Sequence, residues 1–202
     1  MGIQWPAFIG FVVVTTFTPG PNNIASMSVG LSHGYRKTLR FILGVATGFF
    51  GVMCLCAVIA ELLIGFVPSA EPYLRIAASL YIVWLAVHTF LGSLKADAEA
   101  APPLAFKDGL LLQLLNPKVI VYGLTLYSSF LLALAGHVGL LALSAAIFAL
   151  VSFASTSTWS LAGTSLARVF RRPVARKAIA GALALLLLYS AVESSGLLAP
   201  RS

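Results

Sequence analysis

Apolar residues in this chain fall in long unbroken runs instead of alternating or marking one face of a helix, and short polar or Gly/Pro-containing stretches separate them. Six such runs stand out, at 5–31, 41–65, 72–92, 108–134, 138–165 and 177–197. Each is long enough for the roughly 20 residues that carry a helix across a hydrocarbon core of about 30 Å. The pattern predicts an all-α integral membrane protein of six transmembrane helices, forming a single transmembrane domain over 1–202.

Composition sharpens this expectation. The 202 residues are 59% apolar and 9% charged, with a mean hydropathy of +0.97. Soluble domains carry about a quarter charged residues, so a water-coated globule is excluded. The formal charge of +7 comes from basic residues scattered between apolar runs, not gathered on one polar face with aromatic partners. Nucleic acid is therefore rejected as a partner, and membrane lipid is expected as the surroundings. Met1 to Pro6 contain no basic stretch, and the apolar run that follows is too long for a cleaved signal, so it is expected to be the first span of the mature chain.

Two of the six runs are interrupted at depth. The first contains Thr18-Pro19-Gly20-Pro21-Asn22-Asn23 and the fourth Asn116-Pro117-Lys118. Proline lacks an N–H and clashes with the preceding turn, so both helices are expected to break there and free main-chain groups. Hydrocarbon cannot satisfy those groups, and such a break persists only where it is packed in protein or lines a polar cavity. For Pro117 alone an ordinary proline kink is an equal alternative, but matching breaks in spans one and four point to a cavity. Three spans separate them. The chain then divides into two inverted three-helix repeats, 1–92 and 106–202, joined by a linker at 93–105, with a site at the repeat interface.

The basic residues test this arrangement. Arg36, Lys37 and Arg40 follow span one, Lys95 and Lys107 follow span three, and Arg168, Arg171, Arg172, Arg176 and Lys177 follow span five; only Arg75 and Arg201 fall on the other face. Lysine and arginine are retained on the cytoplasmic side, which places these linkers inside and both termini outside. Were span one only a re-entrant hairpin, the count would fall to five and the amino terminus would move inside.

Candidate chemistry is sparse. His33, His88 and His137 fall at opposite membrane faces, so no metal site is expected, and no acidic residue is placed near the midplane. No cofactor is implied. Cys54 and Cys56, two apart on one helix, read as small buried hydrophobes, since a disulfide between them would be strained. Lys118 is the exception among charges: at a helix centre it costs about 2.5–3.5 kcal/mol, so it either faces water, a partner or a substrate anion, or snorkels to the interface. Asn116, Asn22 and Asn23 add donors and acceptors facing the same cavity. A half-helix starting at Pro21 offers free N–H groups suited to a carboxylate, and the carbonyls around Thr16 to Thr18 suit an ammonium. A zwitterion fits that polarity, and without a midplane acid neutral amino acids are favoured over lysine or arginine. The hydroxyl-rich face of span five, including Ser152, Ser155, Thr156 and Ser160, either lines the pathway or bonds its own helix. Gly44-x-x-x-Gly48 reads as a close-packing seam.

Phe17-Thr18-Pro19-Gly20-Pro21-Asn22, Gly34, Gly44, Gly48 and Asn116-Pro117-Lys118 together resemble the LysE/RhtB family of amino-acid exporters, bacterial inner-membrane proteins of about this length. The resemblance implies export of amino acids driven by an ion gradient, usually protons, and carries Pro19, Gly20, Pro21, Asn22, Asn116, Pro117 and Lys118 into the site. Many members have an acid where this chain has Asn22, and lysine-exporting members tend to have one in span two, where this chain has Thr47. The expected function is a secondary transporter of a small neutral amino acid, binding its substrate at Thr18 to Asn23 and Asn116 to Lys118. A thiol-disulfide shuttle and a non-transporting scaffold are the alternatives; a homodimer is left open.

Overall fold

The computed structural model describes residues 5–59, 76, 80, 83, 86, 87, 104–134, 136–169 and 173–195. The described residues are helical, with short turns between helices and no strand. Helix α1 spans Trp5–Phe17 and α2 spans Pro21–His33, so span one is broken at Thr18-Pro19-Gly20 as the sequence predicts. Pro21 occupies the first turn of α2, where its missing N–H costs nothing. Gly34, with φ of +80°, ends α2, and α3 (Tyr35–Ile59) starts at the next residue. That φ is strained for any residue with a Cβ, so the sharp junction depends on glycine.

The second span starts earlier than hydropathy suggests. Arg36, Lys37 and Arg40, expected in a linker, lie in the first turns of α3 with their side chains exposed. An apolar window ends at charge, whereas a helix continues as long as its charged side chains can point away from the core. Likewise α6 (Val138–Val169) and α7 (Pro173–Ser195) extend into the predicted linker of 166–176. Of the third predicted span, the described residues 76, 80, 83, 86 and 87 are helical; the rest of that span, the linker at 93–103 and the predicted end of span two at 60–65 lie outside the described residues.

Span four is also broken. Helix α4 (Phe106–Leu114) and α5 (Pro117–Thr125) meet at Leu115-Asn116, and the two directions differ by 60°. The Asp108 carboxylate accepts the Ala105 N–H at 2.7 Å and so caps α4. Beyond α5 the chain passes through one π-helical turn, Leu126–Phe130, and a short 3-10 turn, Leu132–Leu134. The predicted single span of 108–134 is thus four short pieces. Among the described residues, Tyr35–Val58 and Val138–Ala167 are each long and apolar enough to cross a membrane, and the bent pair at Phe106–Ser128 makes a third candidate. Outward-facing Leu55, Val58, Leu143 and Leu150 give these helices an apolar exterior.

Packing is reciprocal between the two parts of the chain: α2 lies chiefly on α6, and α4 chiefly on α3. Both seams rest on glycine. A Cβ on Gly163 would collide with the Met27 carbonyl of α2, and one on Gly44 with the Phe106 carbonyl of α4. The backbones approach as closely as small-residue membrane interfaces permit, and the expected role of Gly44 and Gly48 is met by contacts with Phe106, Leu110 and Gln113. Two apolar clusters result, one around Ile24, Phe41, Val45 and Leu112, the other around Met53, Tyr122, Leu126 and Phe148.

Gly44→Val and Gly163→Val should each destabilise the protein by about 1–3 kcal/mol, the usual cost of overpacking. The shift is read as a lower thermal midpoint in detergent. Gly51→Ala, where an added carbon meets nothing within 4 Å, should leave the midpoint unchanged or slightly raised.

Candidate functional site

The break between α1 and α2 exposes two kinds of main-chain group, carbonyls at the end of α1 and N–H groups at the start of α2. The carbonyls are satisfied from within the protein. Asn23 Nδ2 donates to the Thr16 and Thr18 carbonyls, both at 2.9 Å. The Ser155 hydroxyl of α6 donates to the Thr16 carbonyl at 2.9 Å and lies 3.2 Å from Asn23 Oδ1. Trp159 Nε1 donates to the Phe17 carbonyl at 3.2 Å. Side chains of α2 and α6 thus already donate to the carbonyls that the sequence offers to an ammonium. Asn23 is 5% exposed and acts first as a clamp across the break.

The N-terminal end of α2 differs. Its cap residue, Gly20, is extended (φ −164°, ψ 173°) and no side chain caps the helix. That backbone conformation is open to any residue, so glycine matters here for space: a Cβ at Gly20 would lie 3.4 Å from Lys118 Nζ.

The second break meets the first at this point. Asn116 caps α5 by accepting the Lys118 N–H on Oδ1 at 3.1 Å. Its Nδ2 then faces Asn22 Oδ1 at 3.4 Å, and Asn22 Nδ2 donates to Gln113 Oε1 at 2.6 Å. The cap fixes the sense of this amide chain from end to end, and it leaves the fully buried Gln113 Nε2 without a hydrogen-bond partner among the described residues. Lys118 Nζ crosses in the other direction, donating to Thr18 Oγ1 at 3.2 Å, while Thr18 Oγ1 donates to the Thr15 carbonyl at 3.2 Å.

These contacts border a partly open cavity of about 40 Å³. Thr18, Gly20, Pro21, Asn22, Asn23, Asn116 and Lys118 line it, which unites seven of the nine residues expected from the sequence; Pro19 and Pro117 make the breaks without lining the cavity. Ser152 and Ser155 of the hydroxyl-rich helix line it as well, whereas Thr156 and Thr158 bond to carbonyls one turn back in their own helix and Thr164 is shared between its own helix and the Gly30 carbonyl of α2. Sequence reasoning missed Gln113, Tyr122 and Phe49. The first carries a signal, being the one amide in the run Leu110 to Leu115; the two aromatics resemble any core residue. Tyr122 stacks on Phe11, with ring centroids 5.5 Å apart.

Lys118 is the one charged residue among the described residues that line the cavity. Cys54 and Cys56 are free thiols on α3, and Cys56 packs beside the Ile120 carbonyl of α5 at 3.8 Å. Among the described residues no group of histidine, cysteine or acid is placed to hold a metal.

A polar cavity made by broken apolar helices is the mark of a membrane transport protein. Comparison with known proteins agrees. The LysE type translocator family matches residues 13–194, and the chain belongs to that family. It is 38% identical over 191 residues to the cysteine/O-acetylserine efflux proteins of Escherichia coli O139:H28 (strain E24377A / ETEC), Escherichia coli (strain K12) and Shigella sonnei (strain Ss046), covering 93% of this chain and 95% of each relative. No solved structure gives a significant match. The chain is an amino-acid export transporter, not an enzyme.

Asn23→Ala removes both amide clamps at the end of α1: the Thr16 carbonyl keeps the Ser155 hydroxyl, and the half-buried Thr18 carbonyl loses its side-chain donor. It should cost about 1–3 kcal/mol, read as a lower thermal midpoint in detergent, and Asn23→Asp should recover little because a carboxylate cannot donate.

Proposed function

We propose that this protein exports a small neutral amino acid of the size of cysteine or O-acetylserine from the bacterial cytoplasm across the inner membrane, driven by the proton gradient. The observation that carries the proposal is the start of α2. Gly20, Pro21, Asn22 and Asn23 at that start line the cavity and no side chain caps the helix, and a helix N-terminus in apolar surroundings favours a carboxylate. Neutral side chains are favoured because no carboxylate lines the cavity among the described residues, so a second cationic group on the substrate would find Lys118 there and no anion. The names of the relatives support the same size and charge class.

The cavity admits about three water centres at roughly 10–15 Å³ each, less than an amino acid needs. Binding then requires the halves to part. In this reading 1–92 and 106–202 are inverted three-helix repeats that rock about the two breaks, with 93–105 a cytoplasmic linker and both termini periplasmic. The reciprocal seams, α2 on α6 and α4 on α3, support it, because each broken span leans on an unbroken helix of the other repeat.

Protein in proteoliposomes should exchange O-acetyl-L-serine or L-cysteine in counterflow and accumulate it when a proton gradient is imposed. Pro21→Ala and Lys118→Ala should lower proton-driven accumulation by about tenfold or more, equivalent to at least about 1.4 kcal/mol, with membrane insertion intact. Absence of counterflow for every amino acid tried would overturn the proposal.

A further inference from the structure

We infer that Tyr122 is a specificity-determining residue of the exporter. Its phenol hydroxyl donates to an acceptor atom on the substrate's side chain, so neutral amino acids that carry an ester or hydroxyl oxygen are taken in preference to apolar ones of the same shape. The inference rests on the export reading above and concerns which solutes the same cavity accepts.

Tyr122 belongs to α5 and is 4% exposed. Its ring is held from three other helices: it stacks on Phe11 of α1 with centroids 5.5 Å apart, tilts against Phe49 of α3 at 5.7 Å and meets Phe148 of α6 edge-on at 6.3 Å. A phenylalanine would make all of these contacts. The hydroxyl is buried and has no hydrogen-bond partner among the described residues, although the Thr16 side chain of α1 is its polar neighbour. It has lost its bonds to water with nothing in their place, which is costly in apolar surroundings. Ser26, Gln113 and Ser160 also carry an unpartnered buried atom, but those residues do not line the cavity, whereas Tyr122 does.

The phenol is also within reach of a bound zwitterion. Tyr122 stands five residues beyond Pro117 on α5, no more than about 7 Å along the axis at 1.5 Å per residue. Asn116, at the head of α5, meets Asn22, at the head of α2, at 3.4 Å. A substrate with its carboxylate at the start of α2 carries an ester carbonyl oxygen five bonds from the carboxylate carbon, about 6 Å away when extended at roughly 1.2–1.5 Å per bond. Phe11, Thr16 and Phe49 come from 1–92, and Tyr122 and Phe148 from 106–202. Parting of the halves to admit an amino acid therefore uncovers the hydroxyl together with the cavity. A solute with an acceptor gives it the partner that the closed protein lacks. An apolar solute of equal size leaves it stranded, and a stranded buried donor is a strong basis for rejection.

The test is counterflow of radiolabelled O-acetyl-L-serine in proteoliposomes, with unlabelled O-acetyl-L-serine or L-homoleucine, its hydrocarbon isostere, as competitor. In the wild type homoleucine should need at least about tenfold the concentration of O-acetyl-L-serine to halve the flux. Tyr122→Phe should bring the two within about threefold of each other, chiefly by weakening O-acetyl-L-serine, while its thermal midpoint in detergent without solute stays level or rises. Should the variant's flux be too small to read, the rise of the thermal midpoint with added solute reports the same ratio. A wild type that does not discriminate, a ratio kept by Tyr122→Phe, or a midpoint lowered by it overturns the inference: the first two leave the hydroxyl out of recognition, and the third gives it a partner inside the protein. Exchange of other amino acids without O-acetyl-L-serine overturns it too and leaves the export reading standing. Absence of counterflow for every amino acid overturns the two together.

Discussion

Main-chain polarity without water is the constraint on which this structure turns. Each break in an apolar helix releases carbonyls from one half-helix and N–H groups from the other, and in hydrocarbon each unsatisfied group is costly. The protein treats the two ends differently. At the first break, the carbonyl end of α1 is closed by the Asn23 amide, the Ser155 hydroxyl and the Trp159 indole, so three donors from two helices fix its geometry. The N–H end of α2 has no such side-chain closure. An arrangement meant only to tolerate a kink would satisfy both. One end is thus closed by side chains, and the residues of the other, Gly20 to Asn23, line the cavity.

The glycine seams explain how such breaks are held at all. A short half-helix such as α4, nine residues long, has too few turns to be stable alone. Gly109 and Gly44 let it lie against α3 with backbone touching backbone, and Gly30 and Gly163 do the same for α2 against α6. The half-helices are thus docked as rigid appendages of long neighbours, and the amide chain Asn116–Asn22–Gln113 ties the two appendages to each other. Motion of one long helix relative to the other must either carry both breaks along or break that chain. The buried Gln113 Nε2, unpaired in this arrangement, is a cost that a different arrangement of the same groups can remove.

Most of this plan was legible in the sequence because it rests on residue types with strong local consequences. Pro21 and Pro117 fit only the first turn of a new helix without loss of a hydrogen bond, and the two breaks stand where their motifs lie. Seven of the nine expected site residues share one cavity. What escaped depended on partners distant in the chain. Nothing local says that Asn23 bonds backward to Thr16 and Thr18, that Ser155 reaches across from another helix, or that Gln113 completes an amide chain. Span boundaries drifted where hydropathy stands in for helicity, as at Arg36 and Lys37, whose charge ends an apolar window but not a helix.

Charge is the last constraint, and it acts through scarcity. A transport site in apolar surroundings can stabilise few ions, and each one it keeps must do more than one thing. Here the main-chain N–H of a single lysine completes the cap on α5 while its ammonium reaches the opposite break. One residue therefore reports the state of one break to the other. Asn22 keeps a neutral amide at the first break, and the ammonium of Lys118 donates to the Thr18 hydroxyl there.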